Sequence, residues 1–361
     1  MSEKIAPFHL AILIYMIQSG VTLYKLPRML AVNFGTNGWL MIVIVSFIVL
    51  VNLLLISFVI RFRIGENVFE IMEGLIPAKV MAPFYLLLAI TWSLLAVLVS
   101  KDFISINQVL SLQNTNSSML IVILMILTFY LGVKDIYTIS KATNIFFLLT
   151  IWMSLLMIYH VPYTSFLRLT PFIFKEGKNA AEGIIQVYTA FLGFELVLFL
   201  FPYIDQSKPK WFRSVYFGHM ITTAVYTLTC FVSYLYFSLD QLKITSYPVL
   251  NLIAYVEIEL IERIESFVFT LFLMKILVTV VLYIWASCLL LERVIPKLSR
   301  KQSVAFLIIS GLLLSLKINV MADVENWLLI LGFVAVGFAV GLPIILLIVI
   351  GIRTYRGDHR A

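Results

Sequence analysis

Three groups of polar side chains interrupt the apolar runs of this chain, and each could do chemistry. Gln18-Ser19-Gly20 is followed by Thr22 and Lys25 in a run that closes at Leu26-Pro27-Arg28. A glycine between polar residues weakens a helix locally and lets a ligand or a second backbone come close. Tyr188-Thr189-Ala190-Phe191-Leu192-Gly193-Phe194-Glu195 repeats the pattern, with Gly193 near a carboxylate. Lys275, Thr279 and Tyr283 stand at i, i+4 and i+8 among aliphatic neighbours, so they share one stripe of one helix. Broken helices offer free backbone N–H and C=O groups to polar ligands, and the stripe suits the wall of a cavity. Lys25, Glu195 and Lys275 could hold charge, pass a proton or pair with one another. Each group also has a packing reading: a small-residue contact at Gly20, a structural buried pair at Glu195. Catalysis is poorly served. The four histidines are scattered without a His-x-x-x-His spacing, and Cys230 and Cys288 lie inside apolar runs. No catalytic residue, metal or cofactor is expected.

The elements that must position these residues are membrane helices. Of 361 residues, 62% are hydrophobic and 12% charged, and the mean hydropathy is +1.04. Globular domains are about 45–50% apolar and about 25% charged, so a soluble or disordered protein is excluded. The net charge of +7 forms no patch for nucleic acid; Lys and Arg fall in the gaps between apolar runs. These runs are too long and too unalternating for barrel strands, so the fold class is all-α integral membrane. Ten spans are expected, near Phe8–Leu26, Gly38–Ile60, Met81–Ser100, Ser118–Val133, Ala142–His160, Ile184–Tyr203, Val215–Phe237, Ser266–Leu290, Ser303–Leu316 and Trp327–Ile352. Glu195 is then the single carboxylate inside any span. With both termini cytoplasmic, Lys and Arg show a roughly two-to-one excess on that side. Residues 250–265 combine apolar positions at helical spacing with Glu257, Glu259, Glu262 and Glu265, an outer amphipathic helix that packs over the bundle or gates it. Gly337-x-x-x-Gly341 reads as a helix contact. Trp39, Trp152, Trp211 and Trp327 read as interfacial anchors.

Spans one and six, five apart, each carry a glycine-centred interruption. Ten spans therefore divide as five plus five, with repeat one at about 8–160 and repeat two at about 184–352 of a single transporter-like domain. Paired interruptions in corresponding positions point to an inverted repeat with a ligand site near the membrane midplane.

Gln18-Ser19-Gly20 leading to Leu26-Pro27-Arg28 and Asn37-Gly38-Trp39 resembles the opening of spore germination receptor B subunits. Leu169-Thr170-Pro171-Phe172 with Ala190-Phe191-Leu192-Gly193-Phe194-Glu195 resembles that family's sixth-helix region, and Val249-Leu250-Asn251-Leu252 through Glu262-Arg263-Ile264-Glu265-Ser266 its outer helix. The resemblance covers nearly the whole chain. It implies the amino acid–polyamine–organocation superfamily, a leucine-transporter-like fold and the inner membrane of a bacterial endospore. It also implies A and C partner subunits and a small nutrient germinant as ligand. Carried over by position, the ligand site would comprise Ser19, Gly20, Phe191, Leu192, Gly193, Thr279 and Tyr283, with Trp92 or Ser93 from span three. Members of this fold often hold sodium between helices one and eight. Lys275 could stand in for that cation, so no sodium requirement is expected, and Lys275 could instead pair with Glu195.

The leading reading is therefore a nutrient-sensing receptor subunit in contact with membrane lipid. The alternative is a secondary amino acid or polyamine transporter, proton-coupled through Glu195. An ion or water channel subunit is a third reading.

Overall fold

Lipid supplies no partner for a free backbone N–H or C=O, so long apolar runs fold as helices that satisfy themselves. The computed structural model describes residues 3–63, 65–110, 115–207, 210–257, 264–318 and 320–355. Helices α1 (Pro7–Gln18) and α2 (Leu26–Phe34) are joined through a 3-10 turn at Val21–Tyr24. They are followed by α3 (Leu40–Phe62), a short connecting α4 (Val68–Glu73), α5 (Ala78–Leu110), α6 (Ser117–Gly132) and α7 (Ile136–Thr150), which runs on as a 3-10 helix over Ile151–Tyr163. The second half opens with α8 (Ala180–Ala190), whose other arm, Phe194–Tyr203 with α9 (Val197–Leu200) at its centre, is bent from it by 51°. Then come α10 (Arg213–Tyr236), the short α11 (Leu239–Ile244) and α12 (Pro248–Ala254), α13 (Ile264–Val294), α14 (Arg300–Ser315) and α15 (Met321–Tyr355).

Among the described residues six helical stretches are long and apolar enough to cross a membrane by length and composition, and the bent α8–α9 pair, taken as one span, makes a seventh. Helices α1, α6 and α14 are shorter; the 16 residues of α6 or α14 rise about 24 Å, less than the hydrocarbon core of about 30 Å.

The packing repeats itself with partners exchanged. Helix α1 lies on α10 as α3 lies on α8. It also lies on α7 as α8 lies on α15. Helix α5 contacts α14 and α15, and α13 contacts α6 and α7 in the same way. The fold is thus a five-plus-five repeat of the leucine-transporter-like kind. Helix α13 is its axis: every side chain from Lys275 to Cys288 is buried. Helix α3, by contrast, shows Phe47 and Val51 to the outside and buries Val49 and Leu53, as a helix at the lipid boundary should.

Several expected boundaries move. Span one does not stop at Pro27. A proline lacks the N–H that the first helical turn leaves unused, and Pro27 sits in the first turn of α2, which continues to Phe34. Span three extends to Leu110, so Asp102 lies within a helix and Glu195 is not the single carboxylate there. Span ten begins at Met321, which brings Glu325 into α15. The outer helix expected at 250–265 is seen as α12, ending at Ala254. Residues 258–263, with Glu259 and Glu262, lie outside the described residues. No Gly337/Gly341 contact is made among the described residues. A Cβ added at either glycine would meet nothing within 4 Å, and α15 packs instead through Ala335 and Ala339, whose carbonyl accepts from Asn52 Nδ2 at 2.9 Å.

Candidate ligand-binding site

The helix of α1 ends because Ser19 (ψ 66°) and Gly20 (φ −91°, ψ −178°) turn extended. Carbonyls released there need partners, since a buried orphan costs about 1–3 kcal/mol. Thr279 Oγ1 donates to the Ile17 carbonyl at 3.2 Å, and Tyr226 Oη donates to that of Gln18 at 2.6 Å. Gly193 makes the second break with φ +115°, in the left-handed region that disfavours a side chain. Its N–H donates to Glu195 Oε2 at 2.7 Å, and Tyr283 Oη donates to Glu195 Oε1 at 3.1 Å. Two side chains join the breaks to one another. Gln18 Nε2 donates to the Phe191 carbonyl at 2.7 Å, and Tyr226 Oη lies 3.2 Å from the Ala190 carbonyl.

Between the breaks lies a cavity of about 540 Å³, within the size range of small-molecule sites. Gly20, Leu192, Thr279 and Tyr283 line it beside Gln18. Gln186 and Thr189 of α8, Leu95 and Val99 of α5, and Leu328, Gly332 and Phe333 of α15 form further walls. Lys178 and Asn179, both exposed, mark its open end. Toward that end Lys25 is held 3.0 Å from Asp102 and 3.0 Å from Glu325. The opposite end of the molecule carries contacts between its segments. Ile5 bridges Ile204, Arg353 pairs with Glu66 at 2.8 Å, and Arg293 pairs with Glu73. The hydrogen bond from Arg293 holds the Glu73 carboxyl below the usual carboxylate range.

The residues singled out from the sequence divide into two sets. Gly20, Leu192, Thr279, Tyr283 and Lys25 line the cavity; Ser19, Phe191, Gly193, Glu195 and Lys275 do not. Phe191 packs its ring on His219 and Tyr226, 5.1 and 5.5 Å between centroids. Gly193 faces Ile17. Ser19 is buried, and its hydroxyl has no hydrogen-bond partner among the described residues. Lys275 donates to Tyr15 Oη at 2.9 Å and lies 5.0 Å from that ring's centre, so the pairing with Glu195 is not made. Trp92 sits behind Tyr283, 6.2 Å between rings, and Ser93 bonds the carbonyl of Ile90 in its own helix at 3.0 Å. From α5 the cavity takes Leu95 and Val99 instead. Asp102, Glu325 and the α15 wall were not anticipated, because each lies beyond the expected end of its apolar run or carries no polar mark.

The model of the family described as spore germination protein matches residues 4–322. Spore germination protein A2 of Bacillus subtilis (strain 168) is 23% identical over 339 residues, 92% of each chain. Spore germination protein GerQB of Bacillus cereus is 25% identical over 127 residues; that match spans about a third of either protein, 35% of each. Among solved structures, Mhp1, a nucleobase-cation-symport-1 family transporter, is similar in its closed conformation with bromovinylhydantoin bound. The TM-score is 0.63 at 16% identity, over 95% of this chain and 78% of Mhp1. Its inward-facing conformation gives a TM-score of 0.57, again at 16% identity, over 95% of this chain and 77% of Mhp1. At that identity the likeness concerns the fold, and it is the fold that the paired breaks and exchanged contacts describe. Since the family match runs through both breaks and on into α15, this integral membrane chain belongs to the spore germination protein family, on a transporter-like scaffold.

Proposed function

We propose that this chain is the nutrient-sensing B subunit of a germination receptor, binding a small germinant between the two helix breaks. The observation that carries this reading is the 540 Å³ cavity bounded by Gly20, Leu192, Thr279 and Tyr283, in a family named for germination. The reading takes A and C subunits as partners and the spore inner membrane as the location, in keeping with relatives named for spore germination, and puts both termini on the cytoplasmic side, where Lys and Arg are in excess. Occupancy would be felt directly by the backbone, because Thr279 and Tyr283 touch the cavity and also bond the Ile17 carbonyl and Glu195 at the breaks. A change of helix angle there needs no transport and no chemical step, so no enzymatic activity is proposed.

One observation favours the transporter alternative. Glu195 is 2% exposed and, among the described residues, is reached by hydrogen bonds from the Gly193 N–H and the Tyr283 hydroxyl, a suitable place for a coupled proton. Uptake into proteoliposomes separates the readings. Labelled amino acids, sugars and nucleosides that stabilise the purified protein should bind without accumulating. Accumulation that tracks a proton gradient and is lost in Glu195→Gln would establish the transporter instead.

A further inference from the structure

The stretch that links α7 to α8 leaves large apolar side chains in the open. Phe166 and Leu167, in a 3-10 turn over Phe166–Leu169, are 70% and 79% exposed; Phe172 and Ile173 beyond it are 64% and 59% exposed. The turn is bonded to the end of α10, where the Ser165 N–H and Arg168 Nη1 both donate to the Leu235 carbonyl at 3.0 Å. The rest is bonded to the end of α2. The Phe174 N–H donates to the Thr36 carbonyl and the Thr36 N–H to that of Lys175, both at 2.9 Å, and the Lys178 N–H donates to the Val32 carbonyl at 3.0 Å. The stretch then runs directly into α8. It therefore grips the arms of both broken helices on the side where the cavity opens.

Helix lengths set its depth. From Gly20 the four residues of the 3-10 turn and the nine of α2 climb about 21 Å to Thr36. From Gly193 the eleven residues of α8 climb about 17 Å to the same stretch. With the breaks near the midplane, the hydrocarbon ends about 15 Å out and the headgroups about 20–22 Å out, so both routes end at headgroup depth. The apolar surface is also continuous in sequence with the lipid-facing end of the preceding 3-10 helix, where Leu155, Ile158, Val161 and Tyr163 are exposed. Along the stretch Arg168, Lys175 and Lys178 are exposed, while its carboxylate, Glu176, is paired with Lys243 at 3.1 Å.

We propose that residues 166–178 form a wedge seated in the bilayer interface, with Phe166, Leu167, Phe172 and Ile173 at the ends of the acyl chains and Arg168, Lys175 and Lys178 at the phosphates of anionic phospholipid. Aromatic rings and basic side chains favour that depth. A soluble protein partner would meet the molecule farther out, beyond the headgroups. The wedge ties the arms of both breaks to the lipid surface, and it holds whatever the cavity binds.

The test places the fluorophore bimane at Phe172→Cys and, separately, at Leu167→Cys in the full chain, in nanodiscs of mixed phosphatidylglycerol and phosphatidylcholine. Cys230 and Cys288 are buried, so the unaltered chain serves as the unlabelled control. Leu148→Cys, at an exposed position on α7, reports lipid, and Lys301→Cys, at the exposed start of α14, reports water. Phospholipid brominated near the headgroup end of its acyl chains should quench both wedge labels about half as strongly as the Leu148→Cys label, or more. Quenching no greater than at Lys301→Cys overturns the inference and gives the apolar surface to a protein partner. Brominated phosphatidylglycerol should quench about twofold more than brominated phosphatidylcholine, and Lys175→Gln with Lys178→Gln should abolish that preference. Equal quenching by the two lipids in the unaltered lysine background overturns the anionic-phosphate assignment. The two label sites are independent, so either one decides if the other variant does not fold.

Discussion

The two glycine breaks look alike in sequence and differ in physics. At Gly20 the backbone is extended and a Cβ would meet nothing within 4 Å. At Gly193 the backbone is left-handed and a Cβ would lie 2.9 Å from the Ile17 side chain. Gly193 is therefore a glycine for folding: the bend of α8 against α9 and the seat of Ile17 depend on it. Gly20 is a glycine for space. Under the proposed function that space would receive the ligand, the first break giving it room and the second supplying the bend that supports it.

This contrast can be broken experimentally, beginning with the largest effect. Gly193→Ala combines a left-handed alanine, about 1–2 kcal/mol, with overpacking against Ile17, about 1–3 kcal/mol. It should lower Tm sharply or abolish recovery of folded protein; a wild-type Tm would place the strain elsewhere. Glu195→Ala strands the Gly193 N–H and the Tyr283 hydroxyl, at about 1–3 kcal/mol for a buried donor, whereas Glu195→Gln keeps an acceptor and should lose far less. Equal melting curves for the two variants would deny Glu195 its part in holding the break. A smaller effect is expected from ions. With Lys275 buried between α1 and α13 on Tyr15, exchanging sodium for potassium should leave ligand affinity within about twofold, under 0.5 kcal/mol; a tenfold dependence would show a cation site that Lys275 does not replace. The last concerns Gly337→Ala. With open space around its Cβ, the change should raise helix stability by at most about 1 kcal/mol, and a marked loss of Tm would reveal a contact there.

Much of the fold was legible because lipid makes apolar length a strong signal, and the five-plus-five division followed from the spacing of Gly20 and Gly193. Boundaries were less so. Asp102 and Glu325 lie past the apolar runs that define spans three and ten, yet the helices continue through them because Lys25 compensates both carboxylates. Lys275, Thr279 and Tyr283 all lie on α13, buried. Helix rotation sends Thr279 and Tyr283 to the cavity and Lys275 to Tyr15, and rotation is set by neighbours that spacing does not encode. Gln18 stood in plain view beside Ser19 and Gly20. Its importance lies in its bond to Phe191, far along the chain, and only tertiary structure brings the two together.

The most direct test of the account compares wild type with Gly20→Leu. Both are purified in detergent and melted with amino acids, sugars and nucleosides. A leucine here projects into open space, so the variant should fold with the wild-type Tm while its side chain fills the site. The account predicts that at least one compound raises the wild-type Tm, by about 2.7 kcal/mol of stability at a hundredfold excess over Kd, and leaves Gly20→Leu unmoved. The same rise in both proteins, or none in wild type, would contradict it.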